Sequence, residues 1–275
     1  MAWPLPASDA LNAEDLALIS EAARAAGDMA LRYKSKGLVT EYKEGGSPVT
    51  DADLAVDALL KATLLAARPD YGWLSEETVD DPARLDCERL FVVDPIDGTR
   101  AYIRGRPWWV VAIGVVDRGE AVAGVVHAPD LSDTYTATIG GGALLNGEAM
   151  RPSQTDAIAD CAMIGEAGFF SHPAWPEPWP EMRLSSRNAT ALRMCLVGAG
   201  TFDATVTLAP KADWDVAAAD LIAREAGAAV LDHKGRRFAY NRADPRQASL
   251  VCAAPALAPL ILSRTAPIEL PRATP

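Results

Sequence analysis

Phe91-Val92-Val93-Asp94-Pro95-Ile96-Asp97-Gly98-Thr99 is the most informative stretch of this chain. An apolar run with strand character ends in a carboxylate, and a second carboxylate follows three residues later. Gly98 permits a tight backbone, and Thr99 offers a hydroxyl where a helix can begin. Two acids crowded at a strand end repel each other unless cations neutralise them. Hard divalent ions such as Mg²⁺ are the natural partners of such oxygen clusters. Backbone amides at Gly98 and Thr99, if they open a helix, would meet an anion. A cation beside such amides is a phosphate site.

Further acids stand in similar settings. Glu76 and Glu77 lie in Trp73-Leu74-Ser75-Glu76-Glu77-Thr78, Asp51 and Asp53 open a helical stretch, and Asp215 follows Trp214 at the start of another. Separated acids, each at an element terminus beside apolar sequence, are what a metal site assembled from distant loops requires. The bland alternative for any one of them is a solvated Asx-turn.

Rival motifs fit less well. A haloacid-dehalogenase-type phosphatase needs its general acid two positions after the first Asp, and Ile96 stands there. An EF-hand starting at Asp51 would need Gly where Val56 lies and Glu where Ala62 lies. Gly140-Gly141-Gly142 and Gly198-Ala199-Gly200 lack the spacing and lysine of a phosphate-binding loop. His127, His172 and His233 share no zinc-ligand spacing and read as surface or turn residues.

Around this centre, Asn12 and Asp15 predict a cap for an amphipathic helix over Ala13–Tyr33. A Gly/Lys-rich loop from Lys43 to Pro48 follows, and Thr50 caps a second helix reaching about Arg68. Arg89–Asp94, Trp108–Val116 and Ala121–His127 read as strands, the last two as a hairpin turning at Asp117–Glu120. Asp133–Ile139 alternates, and Asn146-Gly147 is a turn signal. Ser171–Pro180 reads as a loop whose Trp175 and Trp179 cover a core edge or shape a pocket rim. From Thr190 onward the pattern is helix, strand (Asp203–Leu208), helix (Trp214–Ala226), strands (Ala228–His233, Ala248–Ala253) and a final helix. These elements predict a layered α+β sandwich, with an N-terminal half over 1–148 and a C-terminal α/β half over 149–275.

The 275 residues carry 26 Lys and Arg against 37 Asp and Glu, a net charge of −11. Such a surface repels phosphate backbones and anionic lipid, which argues against nucleic-acid polymer and membrane partners. An anionic substrate then needs local positive charge, and bound cations supply it. No run approaches the ~20 apolar residues of a membrane helix. The N-terminus lacks a secretion signal, and the 4 cysteines are scattered (Cys87, Cys161, Cys195, Cys252). The expected location is therefore a reducing cytoplasm.

The chain resembles the inositol monophosphatase family of Mg²⁺-dependent phosphatases. Four signatures occur in the family's order: Val49-Thr50-Asp51-Ala52-Asp53, Ser75-Glu76-Glu77, Asp94-Pro95-Ile96-Asp97-Gly98-Thr99 and Trp214-Asp215-Val216-Ala217-Ala218. The resemblance implies an α-β-α-β-α layering. It also implies a metal site of two or three Mg²⁺ held by Glu76, Asp94, the carbonyl of Ile96, Asp97 and Asp215. It implies that Asp53 and Thr99, with Glu76, position an attacking water. Gly98 and Thr99 would hold phosphate oxygens, with Asp97 and Asp215 beside them, and Lys43 would belong to a mobile loop near a third metal. Ser75 stands where the family usually has Gly. Inhibition by lithium and excess Mg²⁺, and a homodimer, are further expectations of the likeness.

Relatives differ in leaving group. Thr207 or Leu208 occupies the position where animal-type members place an acid for inositol hydroxyls. Gly98-Thr99-Arg100-Ala101-Tyr102 and Arg193 lie closer to the branch that cleaves 3′(2′),5′-bisphosphate nucleotides. Arg100 and Arg104 read either as substrate cations or as a solvated helix face. The expected substrate is a small phosphorylated metabolite, a nucleotide bisphosphate ahead of inositol 1-phosphate. Histidinol phosphate is an alternative, as is a non-catalytic regulatory protein that keeps the fold.

Overall fold

The computed structural model describes residues 7–270. The chain opens with α1 (Ala7–Lys36), a small hairpin of β1 (Thr40–Tyr42) and β2 (Pro48–Thr50), and α2 (Asp51–Ala67). Next come β3 (Gly72–Ser75), β4 (Arg89–Asp97), the short α3 (Thr99–Ile103), β5 (Val110–Asp117), β6 (Glu120–Ala128), β7 (Asp133–Thr138), β8 (Gly142–Leu145) and β9 (Glu148–Ala149). The remainder holds β10 (Ala162–Ile164), α4 (Ala167–Phe170), β11 (Arg183–Ser185), α5 (Thr190–Gly198), β12 (Ala204–Thr207) and β13 (Lys211–Ala212). It ends with α6 (Asp213–Ala226), β14 (Ala229–Leu231), β15 (Arg246–Gln247), β16 (Leu250–Ala253) and α7 (Ala258–Thr265).

Strands β3 to β9 form a seven-stranded sheet in sequence order, with β3 parallel to β4 and every later pair antiparallel. Its central strands are apolar on both faces because helices cover both. On one side, Ile19, Ala23 and Ala30 of α1 and Val56, Leu60 and Leu64 of α2 pack against Phe91, Val93, Ile113 and Val125. On the other, α5 and α6 pack against Leu90, Val92, Ala112 and Val126. A five-stranded sheet in the order β11-β10-β12-β16-β14 lies beyond those helices, and α7 packs on it through Ala258 and Ile261. The layers therefore alternate α-β-α-β-α. No helix among the described residues is long and apolar enough to cross a membrane.

The two glycines of the central hairpin set the position of α6. Gly114 and Gly124 face each other across β5 and β6. A methyl at Gly124 would lie 2.9 Å from the carbonyl oxygen of Ala218, and one at Gly114 would lie 3.2 Å from the Ala218 nitrogen. The helix carrying Asp215 thus presses its small Ala217-Ala218 face directly on the sheet.

Several expectations need correction. Helix α1 begins upstream of Asn12, so Asn12 and Asp15 are buried in its interior rather than capping it. Their oxygens accept hydrogen bonds from Arg89 at 3.0 Å each, and Asp15 also accepts from Arg68 and Tyr71. A charged partner on β4 outcompetes the local cap. Strand β5 starts at Val110 rather than Trp108, and the buried β3 was not foreseen. His233 is buried with Nδ1 2.7 Å from Ser249 Oγ, contrary to the surface reading. The Trp175 and Trp179 rings meet edge to face at 5.2 Å, each also edge to face with one of Phe169 and Phe170, and Trp179 covers the edge of the second sheet's core. All four cysteines are free thiols.

Candidate active site

Asp94 and Asp97 are three residues apart on β4, a spacing that points side chains to opposite faces in a regular strand. Pairing with β5 slips between them: Asp94 faces Ala112, while Asp97 faces Val110. Three steps on β4 therefore match two on β5. The extra residue falls where Pro95 has no N–H for the ladder, and this bulge turns both carboxylates the same way.

Asp215 joins them from the first turn of α6, where its carboxylate accepts the Ala212 N–H at 3.1 Å. Oxygens of Asp94, Asp97 and Asp215 all lie within 4.8 Å of one another. Asp94 accepts one amide, from Ile96 at 3.1 Å. Asp97 accepts two from the start of α5, Thr190 at 3.1 Å and Ala191 at 2.7 Å. Among the described residues no Lys, Arg or His side chain hydrogen-bonds to these three acids.

Their electrostatics follow from crowding in a dry place. Burial, and then the charge of Asp215, push Asp97 up to about 7. Burial pushes Asp215 up to about 6 against the pull of Lys211. Asp94 is held well above the carboxylate range by burial, then by Glu76, Asp97 and Asp215. An all-oxygen, anionic donor set that no cationic side chain among the described residues hydrogen-bonds fits a hard divalent ion.

Glu76 lies outside the tight trio, although its charge acts on both Asp94 and Asp215. Its Oε1 accepts Lys43 Nζ at 2.9 Å, and Glu77 Oε1 accepts the same ammonium at 2.8 Å. Glu77 is raised to about 7 by burial despite that bond. Lys43 itself is raised, since the two glutamates outweigh the effect of its burial.

Asp53 stands at the start of α2 and is nearly fully buried. Its Oδ2 accepts the Thr50 amide at 2.8 Å and the Thr50 hydroxyl at 2.5 Å. Thr99 Oγ1 lies 3.2 Å from Asp53 Oδ1 and 3.1 Å from the Ile96 carbonyl oxygen, so its single proton serves one at a time. Burial raises Asp53 even though Thr50 and Thr99 oppose the shift. Gly98 takes φ 95°, and a methyl there would lie 2.9 Å from the Trp108 carbonyl oxygen. Only glycine fits that corner.

The cations at the rim have protein partners. Arg100 is exposed and donates to the Gly46 carbonyl at 3.2 Å, tying α3 to the loop that carries Lys43. Arg104 is exposed at the end of α3. Arg193 donates to the Arg187 carbonyl and to Glu166. Thr207 Oγ1 accepts the Ala209 amide at 3.2 Å.

Asp57 went unnoticed in the sequence. It is buried one helical turn after Asp53 and accepts the hydroxyls of Ser75 and Thr78. It thereby pins the two ends of the Glu76-Glu77 loop. A second acid at i+4 on the apolar face of α2 is the signal that marks it. Ser75 is a member of this anchor, its hydroxyl donating to Asp57 and accepting the Glu77 amide at 3.4 Å. Lys211 is a second omission: its charge lowers both Asp97 and Asp215.

The inositol monophosphatase family model matches residues 12–269. The chain belongs to the inositol monophosphatase family. Among curated relatives, inositol monophosphatase 2 of Solanum lycopersicum is 32% identical over 79% of this chain and 87% of its own length. A histidinol-phosphatase of Chlorobaculum parvum is 32% identical over 81% and 87%. The 3′(2′),5′-bisphosphate nucleotidase CysQ of Aggregatibacter actinomycetemcomitans is 28% identical over 82% and 86%. Among solved structures, the Thermotoga maritima IMPase superposes with a TM-score of 0.79 at 26% identity, over 92% of this chain and 96% of that one. Membership in this phosphatase family agrees with the carboxylate cluster described above.

Proposed function

We propose that this chain is a Mg²⁺-dependent phosphomonoesterase acting on a small phosphorylated metabolite. The observation that carries the reading is the trio of carboxylates within 4.8 Å, Asp94 and Asp97 buried and Asp215 partly so, with no cationic side chain hydrogen-bonded to them among the described residues. Asp94, Asp97, Asp215, Glu76 and the Ile96 carbonyl would hold two or three ions. When bound, Mg²⁺ offsets the charge of the phosphoryl group and acidifies water beside it.

The protein's own groups do the rest. Thr50 locks Asp53 through two hydrogen bonds, so its free oxygen points at Thr99. The Asp53–Thr99 pair then orients a water and accepts its proton for attack on phosphorus. The open turn at Gly98 presents amides to the phosphate oxygens, as no larger residue could. Lys43 holds Glu76 and Glu77 together on the loop where Glu76 would contribute to the metal site.

For the leaving group, a 3′(2′),5′-bisphosphate nucleotide is the first choice. Arg100 follows Thr99 directly and the charge of Asp97 acts on Arg193, and a second phosphate would take the place of their present partners, the Gly46 carbonyl and Glu166. Histidinol phosphate is the second reading, supported by the 32% identity to the Chlorobaculum enzyme. The protein is read as cytoplasmic, and a homodimer is consistent with the family.

Phosphate release with Mg²⁺, with EDTA, and on the two substrates and inositol 1-phosphate tests both levels. Activity that EDTA abolishes, with the highest kcat/KM on the nucleotide, is expected. Metal-independent hydrolysis would overturn the chemistry, and equal feeble rates on all three would overturn the substrate choice.

A further inference from the structure

The most basic stretch of this acidic chain lies away from the carboxylate trio. Residues 234–246 hold Lys234, Arg236, Arg237, Arg242 and Arg246 against one acid, Asp244, in a chain of net charge −11. This stretch borders a cavity of about 590 Å³ whose lining includes all four arginines, the two acids Asp232 and Asp244 that pair with Arg236 and Arg246, and Leu208 and Phe238. That size lies within the ~300–1,000 Å³ of small-molecule sites. None of the proposed metal ligands lines it.

Three of the four guanidinium groups are positioned before any ligand arrives. Arg236 Nε donates to Asp232 at 2.7 Å, and Arg246 grips Asp244 through two nitrogens at 2.7 and 3.1 Å. Arg242 is fixed by the carbonyls of Ala239 and Arg246. Arg237 meets no acceptor among the described residues and is exposed. Held forks with spare N–H groups match the geometry of phosphate oxygens better than flexible ammonium groups would. Leu208 and Phe238 add an apolar wall for an organic body.

We infer that this cavity binds a small phosphorylated metabolite, its phosphoryl oxygens on Arg237 and the unused nitrogens of Arg236 and Arg242. The site adjoins the catalytic half of α6. Strand β15, with Arg246 and Gln247, pairs with β13, and Gln247 donates to the buried Asp213 at 2.7 Å, two residues before Asp215.

Calorimetric titration of the full metal-free chain in EDTA, with inorganic pyrophosphate as probe, tests the inference. Without cations the acidic centre repels anions, so the heat reports on the arginine cavity. Saturable binding is expected, weakened by salt. It should fall roughly tenfold to a hundredfold in Arg237→Gln, the loss of a charge-assisted contact, and vanish in Arg237→Glu. Asp94→Asn should leave it intact, and melting curves verify that each variant is folded. Parent-like affinity in both Arg237 variants, or no saturable binding in the parent, overturns the site. Citrate binding as tight as pyrophosphate overturns the phosphate assignment. None of these outcomes depends on hydrolysis, so they stand apart from the proposed activity.

Discussion

Replacing Asp94 with Asn should stabilise the metal-free protein while removing its activity. Asn keeps the size of the side chain and the oxygen that accepts the Ile96 amide at 3.1 Å. What disappears is one charge in a buried set of like charges. Asp97 at about 7 and Asp215 at about 6, against an ordinary 3.8, correspond to about 4 and about 3 kcal/mol when both are ionised, at ~1.36 kcal/mol per pH decade. The two figures share one mutual repulsion and do not add. Asp94 is raised in the same direction, by burial first and then by Glu76, Asp97 and Asp215. At a pH where all three are ionised the substitution should therefore relieve a cost of the same order, about 2–4 kcal/mol, which raises Tm by roughly 5–10 °C for a domain of this size.

The pH dependence has a definite sign. An acid whose folded pKa is raised binds more protons folded than unfolded, so stability falls as pH rises. In EDTA the parent should lose Tm steadily from about pH 4 through about 7, the interval set by Asp97, and the variant should lose less. Mg²⁺ should restore the parent at pH 8 by binding only the folded state, with little effect on the variant. Scanning calorimetry across pH, with and without Mg²⁺, reads both effects. A parent whose Tm in EDTA is flat or rising over that interval would refute the reasoning, as would a variant less stable than the parent at pH 8.

Three other substitutions probe separate links. Thr99→Val should lower kcat roughly a hundredfold or more by disconnecting Asp53 from the water, with the Mg²⁺ half-saturation point little changed in steady-state assays. Gly98→Ala forces a methyl to 2.9 Å from the Trp108 carbonyl oxygen at φ 95°. It should cost about 1–3 kcal/mol in urea denaturation and reduce kcat/KM further than stability alone explains. Arg89→Met leaves Asn12 and Asp15 buried without their shared donor. Asp15 keeps Arg68 and Tyr71, so a loss of about 1–3 kcal/mol is expected, with the activity of the folded fraction unchanged below the transition.

Local chemistry is what the sequence by itself determined. Thr50 with Asp53 announces the start of α2, and the reading of a capped helix there holds because both partners lie within one turn. The hairpin of β5 and β6 was legible from two apolar runs around a short polar turn, and the acids of the phosphatase motifs were legible as motifs. Asn12 and Asp15 show the limit, since their cap-like spacing loses to an arginine 74 residues from Asp15. The tertiary structure alone decided that Asp94 and Asp97 point the same way, because a bulge against β5 reverses the parity of the strand. It alone set Asp57 under the Glu76 loop and brought Asp215 onto the trio, through two glycines that let α6 touch the sheet. Caps and turns depend on neighbours a few bonds away, which a linear text displays. Convergence of charges depends on strand register and helix seating, and those arise only when distant surfaces are packed together.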